Sequence, residues 1–307
     1  MIENHVSGFF TIPEPPEGFE FVDVNVYSDR RLFLNPQLIE ISSSPYARSM
    51  RNILKHYWGA FFMHARKADK LRAIAMLSGL SEPTETRIGY ATGCQGNSVG
   101  FKLQEVLWDT IVKSKAVKSG VLTNFNNLSL FTEGIGADRI SDITTKICKV
   151  QLIEFTQYIC ERYDVEMKLV RQKDLFNPMT FKWESRDVYL PVIDGKPLIL
   201  IPRDMVSSDS VINGDAIAFY RFAIRNVISQ QLELKQLIKG SGKVNNKVLL
   251  RDWYQKHPFS KDVLADWSLH YPKLLIDFEE LRKHSKLRPL SSHELREILY
   301  LPIRKVS

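Results

Sequence analysis

The chain has 307 residues, of which 44% are hydrophobic and 25% charged, with an aromatic share of 11%. That composition excludes a disordered or low-complexity chain, and the length suffices to bury a core without disulfide or metal staples. The formal net charge is +7 and is unevenly spread: Val211 to Ser307 carries 17 Lys/Arg against 10 Asp/Glu, leaving 25 and 25 of the total 42 and 35 for residues 1–210.

A basic last third favours an anionic partner, and nucleic acid is the commonest one. A solvated helical surface is the alternative reading. The three cysteines, Cys94, Cys148 and Cys160, are odd in number and widely spaced. They match neither metal-ligand spacing nor a disulfide framework, and they fit a reducing, cytoplasmic setting. The opening MIENHVSGFF lacks the basic and apolar regions of a signal peptide. No apolar run reaches the about 18 residues of a membrane span, so no membrane partner is expected.

Residues 1–20, with Pro13, Pro15 and Pro16, read as an extended leader docked through Phe9, Phe10 and Phe19. Phe21 to Val26 (FVDVNV) alternates apolar and polar residues and predicts a half-buried strand. Leu32 to Leu34 predicts a second short strand. Pro45 opens a long helix whose apolar positions, from Met50 through Tyr57, Trp58, Phe61 and Phe62 to Ala65, recur at three and four residues. A second helix starts near Asp69 and stops at Gly79. Arg87 to Gly100 (RIGYATGCQGNSVG) is a Gly-rich loop leading into a helix from Val99 to Val112. Such a loop can cradle phosphate on backbone N–H groups through Gly93, Gly96, Asn97 and Gly100. It is neither GxxxxGK[ST] nor GxGxxG, so a purely structural loop is the competing reading.

The segment Phe131 to Ile147, FTEGIGADRISDITTKI, holds the densest set of chemically capable side chains. Gly134 and Gly136 precede a helix, which continues with apolar periodicity to about Tyr163. Val165 to Val170 (VEMKLV) alternates as a strand, and Trp183 to Arg186 reads as loop. The apolar runs around Asp194-Gly195 are the strongest hairpin signal in the chain. After Met205 come a polar stretch, Ser207 to Ser210, and then helices over about 216–238, 249–254, 263–270, 274–284 and 292–299, the last without a clean capping box at Ser292. The expected architecture is a mixed α/β core over 21–206, followed by a predominantly helical, basic region over 207–307 that packs on the core.

Asp138 and Asp142 are four residues apart and share a helix face. Paired carboxylates at a Gly-rich turn suit a divalent cation, Mg²⁺ or Mn²⁺. First-turn acids that complement the helix dipole are the structural alternative, worth about 0.3–1 kcal/mol each. Glu166-Met167-Lys168 on a predicted strand, downstream of an Asp, is similar to the Asp…Glu-x-Lys arrangement of restriction-type metal-dependent nucleases. By that similarity Asp138, Asp142 and Glu166 hold the metal and Lys168 positions the attacking water. The chain departs from the pattern in placing a helix, Asp142 to Tyr163, between the Asp and the Glu-x-Lys. In the C-terminal third, Lys239, Lys243, Lys247, Arg251 and Lys256, with Trp253 and Tyr254 between them, suit phosphate contact and base stacking. Arg139 extends the same expectation to the Gly-rich turn.

Three segments, RIGYATGCQGNSVG, SGVLTNF…LFTEGIGADRISDITTKI and YLPVIDGKPLILIPRDMV, resemble a group of bacterial proteins carrying a similar GIG-Asp-Arg-Ile-Ser-Asp segment followed by a Leu-Ile-Pro-Arg strand. The resemblance spans about residues 20 to 285 and implies anti-phage defence or mobile-element loci, without assigning an activity. Two functions follow as expectations. One is a cytoplasmic, defence-type metal-dependent nuclease that hydrolyses phosphodiester bonds. The other is a non-catalytic nucleic-acid-binding or adaptor subunit of a multi-protein defence complex.

Overall fold

A computed structural model of the chain describes residues 2–90, 101–120, 125–230, 254–284 and 287–300. Its axis is α3 (Pro45–Arg66), the 22-residue aromatic helix. Pro45 occupies its first turn, where the missing N–H costs no hydrogen bond. The stripe seen in the sequence is the buried one, including Met50, Tyr57, Trp58, Phe61, Phe62 and Ala65. The Trp58 indole stacks on Phe125, with centroids 4.4 Å apart and planes at 7°. The chain breaks at Ala68, which takes a left-handed φ of 54°. Asp69 then caps α4 (Lys70–Leu77) by accepting from the Arg72 N–H at 3.3 Å, so the expected second helix is present.

Around α3 pack α2 (Pro36–Ile41), α4, α5 (Phe101–Lys113), α6 (Lys115–Lys118), α8 (Ala137–Ile147) and α9 (Lys149–Arg162). Every strand pair among the described residues is antiparallel and two-stranded. β1 (Phe33–Leu34) pairs across the chain with β6 (Val206–Ser207). β2 (Lys168–Asn177) and β3 (Lys182–Leu190) form a hairpin that lies against α8 and α9. Residues Trp183 to Arg186, read as loop, are therefore strand. Their partners in β2 are fixed by a tight turn in which Asn177 Oδ1 accepts from the Met179 N–H at 2.9 Å. β4 (Val192–Ile193) and β5 (Lys196–Pro197) close the predicted Asp194-Gly195 hairpin. Both turn residues have positive φ, 49° and 75°, as a type I′ turn demands.

FVDVNV is extended but makes only isolated bridges, and Phe21, Val22, Val24 and Val26 are all buried. It is sandwiched: the Val22 N–H donates to the Ile201 carbonyl at 2.9 Å, and the Val6 N–H donates to the Val24 carbonyl at 3.1 Å. The leader is thus folded onto the core. It forms a short 3-10 turn at Ile2–Asn4 and α1 (Val6–Phe9). Asp23 anchors it, accepting from the Ser7 backbone N–H at 2.8 Å and hydroxyl at 2.7 Å.

The C-terminal region is helical, as expected: α10 (Asp209–Asn213), α11 (Asp215–Gln230), α12 (Lys261–His270), α13 (Pro272–His284) and α14 (Ser292–Tyr300). Most of the expected helix beyond Gln230, and of the one from Leu249, lies outside the described residues. α12 packs on α6 and on α7 (Leu128–Phe131), and α11 also packs on α7. α14 returns to the N-terminus, where the Tyr300 hydroxyl donates to Asp23 at 2.7 Å. It does have a capping box, begun one residue earlier than sought. The Ser291 N–H donates to Glu294 at 2.7 Å, and Ser291 Oγ accepts from the Glu294 N–H at 3.2 Å. One continuous buried apolar cluster runs from Val6 to Leu299.

The β2–β3 hairpin is held on α4 by Trp183, whose indole N–H donates to the Met76 carbonyl at 2.7 Å. Gly79 lies flat beneath that ring, and a Cβ there would overlap the indole. Gly79→Ala is expected to cost roughly 1–3 kcal/mol by overpacking. A urea denaturation midpoint equal to wild type would contradict the contact.

Candidate functional site

Four charged residues form a line along one helical face. Asp138, Asp142 and Lys146 recur every four residues on α8, and Lys149 follows at the start of α9. Facing them is the segment that leaves α4, carrying Glu82, Glu85 and Tyr90. Gly136 is the N-cap residue, and the Ala137 N–H donates to Asn213 Oδ1 at 2.9 Å, so α8 is capped from α10. Asp138, free of that duty, accepts instead from the Tyr90 N–H at 3.3 Å. Ser141 Oγ accepts from the Leu34 N–H at 3.0 Å and pins α8 to β1.

The lower half of the line is closed by ion pairs. Lys146 and Lys149 are only 3% and 2% exposed, which makes pairing obligatory. Lys149 Nζ donates to Glu85 Oε1 at 2.7 Å and to the Lys173 carbonyl at 3.3 Å. Lys146 Nζ lies 3.5 Å from Asp174. Asp174 reaches it from a register shift in β2 between Gln172 and Leu175, where its own φ is 55°. A bulge of this kind re-aims a side chain out of the ladder. Burial alone would push the Glu85 carboxyl up, but Lys149 and then Lys146 hold it below its ordinary value. Burial and the neighbouring Lys149 push the Lys146 ammonium down, opposed by Glu85 and Asp174.

The upper half is different. Burial, reinforced by Asp138 and Glu82, pushes the Asp142 carboxyl up to about 8. Asp138 is also raised by burial, against the Tyr90 N–H and Arg139. Glu82 is raised by burial and by Asp138, and Asp29 by burial and Glu82 against Arg87. This end is a half-buried set of carboxyls repelling one another, opposed by Arg139 beside Asp138 and Arg87 near Asp29.

The expected site residues divide accordingly. Asp138 and Asp142 do come together on one face. Arg139 sits beside them, with its guanidinium donating to the Gly134 carbonyl at 3.0 Å. Glu166 and Lys168 are exposed and do not join them. Glu166 precedes β2 and Lys168 starts it, after the 14 residues of α9 in the chain. Among the described residues, no group of three His, Cys, Asp or Glu side chains is placed to hold a metal ion. The phosphate-loop residues Gly93, Gly96, Asn97 and Gly100 lie outside the described residues, as do Lys239, Lys243, Lys247 and Arg251. Lys256 is described and exposed.

Glu82, Glu85, Lys146, Lys149 and Asp174 were missed in the sequence. One signal was available. Lys146 and Lys149 are the charged residues of an otherwise uncharged run, ITTKICKVQLI, and Lys146 falls at the next four-residue step after Asp138 and Asp142.

Residues 11–213 match the family model described as Domain of unknown function (DUF8370). The chain belongs to that family. The matched region contains the whole charged line, both faces of it, and ends at Asn213, the residue that caps α8. No curated protein and no solved structure matches the chain.

The charge pattern sets a pH dependence. A carboxyl raised from 3.8 to about 8 favours the folded state when protonated. Its contribution is therefore fullest below the unfolded value and is lost as pH rises through the folded one. In chelator-treated protein, Asp142→Asn is expected to melt higher than wild type by a margin that grows between about pH 5 and pH 9. A margin independent of pH would show that Asp142 titrates normally.

Proposed function

We propose that this protein is a metal-dependent nuclease that hydrolyses phosphodiester bonds, with Asp138 and Asp142 at its centre. Support comes from the pair of desolvated carboxyls on one face of α8, with Glu82 opposite, whose burial and mutual repulsion outweigh the nearby Arg139 and Lys146. Hard oxygen donors of this kind suit Mg²⁺ or Mn²⁺. Asp138 and Asp142 would hold such an ion, which when bound would supply neutralisation of phosphate charge and acidification of water. Tyr90 fixes Asp138 through its backbone N–H, and Lys146 holds positive charge one turn further along. The basic C-terminal residues, Lys256 among them, supply the attraction for a nucleic-acid backbone. Resemblance of the GIGADRISD segment to bacterial proteins of defence and mobile-element loci supports a cytoplasmic, anti-phage setting.

A non-catalytic nucleic-acid-binding or adaptor subunit is the second reading. It is favoured by the complete pairing of Lys146 and Lys149, which makes the lower half of the line a structural strut.

The test is cleavage of plasmid DNA and single-stranded RNA with Mg²⁺ or Mn²⁺, comparing wild type with Asp138→Asn/Asp142→Asn. Cleavage is expected to fall by on the order of 100-fold or more in the variant, with its circular dichroism and its salt-dependent binding retained. Binding without cleavage by the wild type establishes the second reading. Cleavage undiminished in the variant removes these carboxylates from the chemistry.

A further inference from the structure

A cavity of about 490 Å³ opens between α11 and α13, away from the charged line of α8. Its size falls in the range of small-molecule sites, about 300–1,000 Å³. Its walls are largely apolar, with Phe222 and Phe278 presenting ring surface and Leu281 beside them. Its floor is polar and ordered. Asp215 receives hydrogen bonds from the Gln37 amide and, at 2.8 Å, from Arg282, and both bonds go to Oδ2. Among the described residues Asp215 Oδ1 accepts nothing, and neither does the Gln37 carbonyl oxygen. The floor therefore offers two acceptors held in place by donors already engaged. Arg282 lies over the Phe278 ring, 5.2 Å from its centroid, so the ion pair and the aromatic wall are one rigid unit.

The rim carries the opposite chemistry. Arg221 and Arg225 are four residues apart on α11, side by side on one face, and both line the cavity. Both are exposed, and among the described residues neither has an ion-pair partner. Because Asp215 is matched by Arg282, these two guanidiniums are the unbalanced charge of the cavity. Paired guanidiniums bind phosphate in a fixed, fork-like geometry.

An anion-binding rim, aromatic and aliphatic walls, and a floor of acceptors together describe a particular ligand. It has a phosphate at one end, a flat apolar body, and N–H donors at the other end. We propose that this cavity binds a mononucleotide whose base carries an exocyclic amine. The phosphate lies on Arg221 and Arg225, the base lies against Phe222 and Phe278, and its amine donates to Asp215 Oδ1 and the Gln37 carbonyl oxygen. Uracil and thymine present no exocyclic amine, and their single N3–H can meet only one of the two acceptors. The site needs none of the α8 carboxylates, so it stands or falls apart from the nuclease reading.

Isothermal titration of the full chain with AMP, GMP, CMP, UMP, adenosine and inorganic phosphate tests it. At least one of AMP, GMP and CMP is expected to bind at least about tenfold more tightly than UMP, adenosine or phosphate, a tenfold step being about 1.4 kcal/mol. Arg221→Ala/Arg225→Ala is expected to weaken that binding by about tenfold or more, with unchanged thermal melting because both side chains are exposed. Absence of nucleotide binding at millimolar concentration overturns the proposal. So does binding that survives the double substitution, or phosphate alone binding as well as the nucleotide. UMP binding as tightly as the others overturns the role of the floor. A single-stranded oligonucleotide that binds through Arg221 and Arg225, when no mononucleotide does, replaces the proposal with a strand-binding groove.

Discussion

Two buried lysines on adjoining helices dictate much of this structure. Lys146 and Lys149 are nearly sealed from solvent, and an ammonium in that position must be matched by carboxylates and carbonyls. Two separate pieces of chain are recruited to do so. The segment after α4 brings Glu85, the bulge in β2 brings Asp174, and the neighbouring Lys173 carbonyl completes the shell of Lys149. Removing one partner of such a pair typically costs 3–5 kcal/mol, because the other charge stays buried. The pairs therefore fix where the hairpin and the 81–90 segment lie against α8. By fixing that segment they also carry Glu82 and Tyr90 to Asp138 and Asp142.

The result is a polarised helix face. Its lower half is neutralised internally, and its upper half gathers carboxyls whose charged forms are disfavoured by burial and by each other. A set of groups with displaced proton affinities, gathered on one face, is what marks it as the candidate site. α10 connects this face to the rest of the molecule. Asn213 caps α8, and Val211, two residues earlier, lines the cavity between α11 and α13. The acidic face and the arginine-rimmed cavity are thus built on opposite sides of one five-residue helix.

Much of the fold was legible because it rests on local periodicity. The stripe of α3, the break before α4 and the Asp194-Gly195 turn each carry their cause within a few residues. The misreadings came where distant chain decides the outcome. FVDVNV alternates like a half-exposed strand, yet residues 4–6 and 201–202 pair with it on both sides. Trp183 reads as loop because its reason for being in a strand is a carbonyl on α4. For the site, Asp138 and Asp142 were legible through spacing on one helix. Glu166 and Lys168 satisfied a familiar pattern, but in the chain all of α9 lies between them and α8. Glu85 carried no local signal, since its importance comes from Lys149, 64 residues away in sequence, and Glu82 carried none because it acts on Asp138 and Asp142 from a distant part of the chain.

Burial, Asp138 and Glu82 disfavour the charged form of Asp142, and the proposed divalent cation would relieve that. The direct measurement is a pH titration of the Asp142 side-chain carboxyl by carbon-13 NMR, with and without Mg²⁺. A midpoint near 8 is expected in the metal-free protein, with a clear downward move when Mg²⁺ is added. A midpoint close to the ordinary 3.8, unmoved by Mg²⁺, would contradict both.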